Sequence, residues 1–195
     1  MDADGWDARY SDPELLWSGE PNQFVAQYLA DRTPGSAIDL GAGEGRNAVW
    51  LASRGWDVTA VDFSAVGLAK ARTMAMEAEV ELATVAEHVD RFNPTMRVDL
   101  VLLSYLQIPD DHQTSVLRRA AGWLQPGGIV FVVAHDKSNV DRGQGGPQNP
   151  GVCYTVDNTV AVLEGEGLRI EVAELAERPV DGAVALDTVV LAVRD

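Results

Sequence analysis

The chain has 195 residues, with 15 Lys+Arg against 30 Asp+Glu and a formal net charge of −15. A surface this acidic repels a phosphate backbone, and no Lys/Arg cluster offsets it, so nucleic acid is not an expected partner. Hydrophobic content of 46% and charged content of 23% fit one full globular core, while no apolar run approaches the roughly 20 residues that span a bilayer.

The single cysteine, Cys153, allows neither an internal disulfide nor a thiol cluster for zinc. The opening stretch "MDADGWDARYSDPELLW" lacks the basic segment and apolar core of a secretory signal. The expectation is a single cytoplasmic domain over residues 1–195, monomer or homodimer, with no membrane or metal partner.

Taken in chain order, "SAIDLG" (36–41) reads as a short buried strand. "RNAVWLASRG" (46–55) reads as a helix that Gly55 terminates. "DVTAVDF" (57–63) is β-rich, and "SAVGLAKARTMAMEAE" (64–79) is a helix with Ser64 as its N-cap. "ELATVAE" (81–87) and "VDLVLLSY" (98–105) read as the third and fourth strands. "DDHQTSVLRRAAGWLQPGG" (110–128) reads as a helix stopped by Pro126 and two glycines, followed by the apolar strand "IVFVVAH" (129–135).

Continuous apolar runs of this kind indicate strands covered on both faces, hence a largely parallel sheet between helices. A Gly/Pro/Asn-rich loop, 137–151, comes next and reads as a lid or as a flexible surface insertion. The helix "TVDNTVAVLEGEG" precedes two strands, "LRIEVAELAER" and "ALDTVVLAVRD". With no helix between them, these two pair antiparallel. The predicted fold is α/β: a Rossmann-like, doubly wound seven-stranded sheet, mostly parallel with an antiparallel C-terminal strand and helices on both faces.

The chemistry concentrates after the first strand, at Asp39-Leu40-Gly41-Ala42-Gly43-Glu44-Gly45-Arg46. Glycines at 41, 43 and 45 let backbone turn tightly and approach a ligand. A dinucleotide fingerprint, G-x-G-x-x-G, requires a third glycine at position 46, where this chain has arginine. Asp39 disfavours a diphosphate and welcomes an ammonium. Asp62, at the tip of the second strand, suits the hydroxyls of a ribose. An amino acid at one end and a ribose at the other describe S-adenosylmethionine.

"AIDLGAGEGRNAVWLASRGWDVTAVDFS" resembles the first two motifs of class I S-adenosylmethionine-dependent methyltransferases. "VDLVLLSYLQIP" and "LQPGGIVFVVAH" resemble later motifs of that class. "WDARY" and the "GGPQNPG" loop bring the chain closest to its small tellurite-resistance and thiopurine-methyltransferase-like group.

The resemblance implies a cofactor site of Asp39, Gly41, Ala42, Gly43, Gly45, Arg46, Asp62, Phe63, Glu87 and Ser104. Gly41, Gly43 and Gly45 line the methionine portion, and Asp39 supports the loop or the amino group. Phe63 stacks on adenine and Glu87 accepts from its N6, with Asp90 the alternative in that role. Arg46 pairs with the ligand carboxylate or forms a surface salt bridge. The N-terminal segment, 1–35, covers the cofactor through Trp6 and Tyr10, or these rings and Trp17 only staple the segment to the domain.

Methyl transfer needs no protein nucleophile or metal, because the electrophile is ready-made in the cofactor. No G-x-S-x-G, H-E-x-x-H or Cys/His cluster is present. The catalytic candidates are His135, which closes the fifth strand and either takes a proton or serves as a structural cap of the strand end, and Tyr105, near the transferred methyl. His88 and His112 read as solvent-exposed. The expected function is methyl transfer to a small-molecule acceptor. An NAD(P)-dependent oxidoreductase and a non-catalytic S-adenosylmethionine-binding module are the alternatives.

Overall fold

A computed structural model describes residues 3–12, 14–16, 18–180 and 182–195. Seven strands form one sheet in the order β3-β2-β1-β4-β5-β7-β6. They are β1 (Ser36–Leu40), β2 (Asp57–Asp62), β3 (Ala83–Ala86), β4 (Val98–Ser104), β5 (Leu124–His135), β6 (Leu168–Val180) and β7 (Ala183–Arg194). This is the expected Rossmann-like sheet, mostly parallel with antiparallel strands at its C-terminal end. The chain divides into two compact units, Met1–Val98 and Asp99–Asp195.

In the first unit, β1 and β2 run parallel with Leu40 opposite Val61, and β2 and β3 run parallel with Asp62 opposite Ala86. This register brings the carboxyl ends of three strands level, with an acid at or beside each: Asp39, Asp62 and Glu87. Helix α3 (Arg46–Ser53) follows the glycine loop. It ends as expected, with Gly55 at φ +90°. Helix α4 (Ala65–Glu77) opens on Ser64, whose hydroxyl accepts from the Gly67 amide at 3.0 Å.

Two further helices, α1 (Ala3–Tyr10) and α2 (Gln23–Leu29), are not evident in the sequence. Asn22 caps α2 by accepting from the amides of Phe24 and Val25. Its own amide donates to Asn47 of α3 at 2.9 Å. Phe24, Val25 and Leu29 then bury in the unit's core.

In the second unit, β5 pairs antiparallel with β7, and β7 with β6. Residues Ile129–His135 of β5 and Ala185–Val193 of β7 are buried, as befits strands covered on both faces. Edge strand β6 alternates instead, facing solvent on one side. Helix α5 (Asp110–Trp123) stops earlier than the sequence suggests, because Leu124 is already extended at φ −73°, ψ 141°. The "LQPGG" stretch therefore opens β5 rather than closing the helix. The 137–151 loop carries a short helix, α6 (Asn139–Arg142), and leads into a single 3-10 turn at Pro150–Val152. Helix α7 (Val156–Gly165) packs on β6.

Candidate functional site

Chain order reverses after β1, and open α/β sheets bind ligands beyond strand carboxyl ends at such a point. The glycine loop begins there. The Gly41 and Ala42 amides donate to the Val61 carbonyl at 2.8 and 3.0 Å, and the Gly43 amide donates to Asp62 Oδ2 at 2.8 Å. Two glycines are required by space as well as by φ. A Cβ on Gly43 would sit 2.7 Å from the Tyr10 hydroxyl, and one on Gly45 would sit 2.5 Å from the Ala71 Cβ.

Asp39 is 1% exposed, and neither of its carboxylate oxygens has a hydrogen-bond partner. Burial first, then the nearby Asp62, pushes its carboxyl up to about 7, against the opposing pull of Arg46 and the Ala48 amide. Asp62 is also raised by burial, and the Ser64 and Gly43 amides offset part of that. Its Oδ1 accepts from Ser64 at 2.8 Å. Each oxygen therefore holds one backbone amide and keeps a further lone pair.

Phe63 stacks on His88 with centroids 5.7 Å apart. The Glu87 amide donates to the Asp62 carbonyl at 3.0 Å, which fixes Glu87 beside the β2 tip. Asp90 Oδ2 lies 3.3 Å from the His88 Nδ1. His88 and His112 are exposed, as read from the sequence.

Helix α1 is bound to this loop. Tyr10 is buried against Gly43 and stacks on Trp6 at 5.4 Å, with the Arg9 guanidinium 4.8 Å from the Trp6 ring. Asp7 accepts from the Ser64 hydroxyl. Trp17 lies outside the described residues.

Glu44, which sequence reasoning passed over, is 3% exposed and accepts from the Leu16 amide and from Lys70 Nζ at 2.8 Å. Lys70 also donates to the Glu14 carbonyl at 2.7 Å. An acid between two glycines carries no signal of such a partner, since Leu16 and Lys70 meet it only in three dimensions.

The second unit gathers another set of groups at the end of β5. The register sets His135 opposite Asp187 of β7. His135 Nδ1 lies 3.3 Å from Asp187 Oδ1. The Tyr105 hydroxyl donates to Asp187 Oδ2 at 2.8 Å, and Arg178 Nε donates to the same oxygen at 2.7 Å. The rings of Tyr105 and His135 are 4.9 Å apart. Ser104, at the end of β4, has a buried hydroxyl without a hydrogen-bond partner.

The structure thus joins Tyr105 and His135, predicted separately, through Asp187 and Arg178, which were not predicted. Asp187 did carry a signal: an acid inside the apolar run "ALDTVVLAV" is buried, and a buried charge requires partners. Among the described residues, no three His, Cys, Asp or Glu side chains could hold a metal ion. No described helix is long and apolar enough to cross a membrane.

The sheet order and the glycine loop define the fold of class I S-adenosylmethionine-dependent methyltransferases. Residues 37–128 match the family described as Methyltransferase domain, a stretch that holds every first-unit acid of the site from Asp39 to Glu87.

Among relatives, a ubiquinone biosynthesis O-methyltransferase of Alkalilimnicola ehrlichii is 35% identical over 112 residues, covering 55% of this chain and 44% of that protein. The chain spans less than half the length of the curated relatives it matches. Among solved structures, TehB from Haemophilus influenzae aligns with a TM-score of 0.76 at 14% identity, covering 99% of this chain and 67% of that one. The magnesium protoporphyrin IX methyltransferase ChlM of Synechocystis PCC 6803, solved with S-adenosylmethionine bound, aligns at 0.68 and 17% identity, covering 88% and 76%.

Proposed function

We propose that the chain is an S-adenosylmethionine-dependent methyltransferase that transfers a methyl group in-line to a small-molecule acceptor. Residues 1–195 act as one catalytic domain in the cytoplasm, with 1–35 over the cofactor and 137–151 as a lid. The observation that carries this reading is Asp39, a buried carboxylate beside a glycine loop with neither oxygen in hydrogen-bond geometry, which the Arg46 charge and the Ala48 amide only partly offset. Such a group is costly unless a cation completes it. The ammonium of an α-amino acid is that cation.

The remaining residues fit the same ligand. Asp62 accepts from the ribose hydroxyls, Glu87 accepts from the adenine N6, and Phe63 offers its face to the base. Arg46, at the first turn of α3, pairs with the carboxylate. Trp6 and Tyr10 close over the methionine end. When bound, S-adenosylmethionine supplies a methyl group already activated on a sulfonium. The protein's part is alignment and exclusion of water. Tyr105 and His135 serve the acceptor.

The net charge of −15 supports a small neutral or cationic acceptor over nucleic acid. A methyl-labelled S-adenosylmethionine assay against thiols, phenols, thiopurines, amines, tellurite and ribosomal RNA tests this. Label in a small molecule is the expected result. Label confined to RNA, or no label transferred by a protein that binds S-adenosylhomocysteine, contradicts it.

A further inference from the structure

The geometry points to Asp187 as a positioning residue that holds His135 with Nδ1 protonated and Nε2 free to take the acceptor's proton. The acceptor atom is then a hydroxyl oxygen or a thiol sulfur. This rests on the methyltransferase reading above and narrows its substrate class.

Three observations carry it. First, the antiparallel register sets His135 directly opposite Asp187, and Nδ1 and Oδ1 face each other at 3.3 Å. Both atoms are buried, and neither meets hydrogen-bond geometry with any group, so the contact between them is a charge pairing at 3.3 Å. Second, the other oxygen of Asp187 is fixed by two donors, the Tyr105 hydroxyl and Arg178 Nε. That anchoring sets the carboxylate plane and leaves Oδ1 to the imidazole. Third, the 137–151 loop comes down on a face of the ring, leaving its Nε2 edge open. A Cβ on Gly146 would lie 2.8 Å from Nε2, Cδ2 and Cε1, so only glycine, here at φ +74°, allows this approach. Asn139 ties the loop in place, donating to the Gly145 carbonyl at 2.9 Å and accepting from the Leu186 amide at 2.7 Å.

The charge state agrees. Asp187 is fully buried, which alone would raise its carboxyl. The His135 imidazole, the Arg178 guanidinium and the Tyr105 hydroxyl outweigh that and hold it below the ordinary carboxylate range. The remaining neighbours face elsewhere. Asp136 accepts from Ser138 and Thr188, and Lys137 pairs with Asp110 at 2.7 Å. Tyr105 reaches this arrangement at φ +54°, a strained conformation for a side-chain-bearing residue that tends to mark functional positions.

A base oriented this way matters most for a nucleophile that must lose a proton to attack. An uncharged aromatic amine attacks through its free lone pair, and an oxyanion arrives ionised. In the proposed step the O–H or S–H proton passes to Nε2. The pair left on the heteroatom forms the bond to the methyl carbon, and the carbon–sulfur bond of the sulfonium breaks with its pair kept by sulfur. Asp187 stabilises the imidazolium that results.

The test needs no acceptor. With three histidines in the chain, ¹⁵N-histidine NMR resolves each imidazole, and His135→Asn assigns the signal. The expected wild-type tautomer of His135 carries its proton on Nδ1. In Asp187→Asn the His135 titration midpoint falls by about one pH unit or more, because a charged partner is lost. In Arg178→Gln, which removes a competing cation, the midpoint rises. An Nε2–H tautomer in the wild type, or an unmoved midpoint in Asp187→Asn, overturns the proposal. If Asp187→Asn does not fold, a midpoint in Arg178→Gln that fails to rise overturns it equally.

Calorimetry with S-adenosylhomocysteine on the same wild-type sample keeps the two readings apart. Failure to bind counts against methyl transfer, whereas the titration counts only for or against the Asp187–His135 pair. A product methylated solely on nitrogen overturns the substrate class.

Discussion

The Gly43 amide donates to Oδ2 of Asp62 at 2.8 Å, so the glycine loop and the β2 acid, nineteen residues apart, form one structural unit. Asp62 shapes the loop and retains lone pairs beyond the two amides it holds. Asp62→Ala strands the Gly43 and Ser64 amides, and a buried unsatisfied donor costs about 1–3 kcal/mol. The expected outcome is a loss of that order in urea unfolding. S-adenosylhomocysteine affinity should also fall by about 1–3 kcal/mol in calorimetry. Unchanged affinity would remove Asp62 from the ribose contact.

Asp39 makes stability and binding respond to pH in opposite directions. Its carboxyl sits at about 7 in the fold against an ordinary value of 3.8. The folded state therefore binds more protons than the unfolded state between those values. Stability from this group is complete below about pH 4 and is lost as pH rises through about 7, by an amount on the order of 4 kcal/mol. Asp39→Asn should flatten that part of the stability–pH curve. A ligand ammonium needs the ionised form, so cofactor affinity should rise from pH 6 to pH 8 in the wild type and stay flat in Asp39→Asn. A wild-type affinity indifferent to pH would argue against the ammonium contact.

Lys70 and Glu44 hold the 14–16 segment to the glycine loop. Lys70→Met leaves the buried Glu44 carboxylate with the Leu16 amide but without its cation. The expected cost is about 1–3 kcal/mol of stability, together with faster hydrogen exchange at the Leu16 amide. Exchange at the wild-type rate would show that the clamp does not hold the segment.

The sequence makes legible what depends on neighbours along the chain. The glycine spacing, the acids at 39 and 62, the Ser64 cap and the Gly55 terminator all act within a few residues or at strand tips. The antiparallel terminal hairpin follows from the missing connecting helix. Helices α1 and α2 were not legible, because both are short and depend on distant partners: Asp7 on Ser64, Tyr10 on Gly43, Asn22 on Asn47. The early end of α5 was hidden because "GWLQPGG" reads equally as a helix end or a strand start. Asp187 was missed although its apolar setting marked it, since only the β5–β7 register shows that its partner is His135.

The central claim is that the glycine loop and its acids bind a methionine-plus-ribose ligand. Calorimetry with S-adenosylhomocysteine and, separately, NADH tests it most directly. The account predicts binding of S-adenosylhomocysteine, weakened in Asp62→Ala, and no binding of NADH. Binding of NADH without S-adenosylhomocysteine would contradict it.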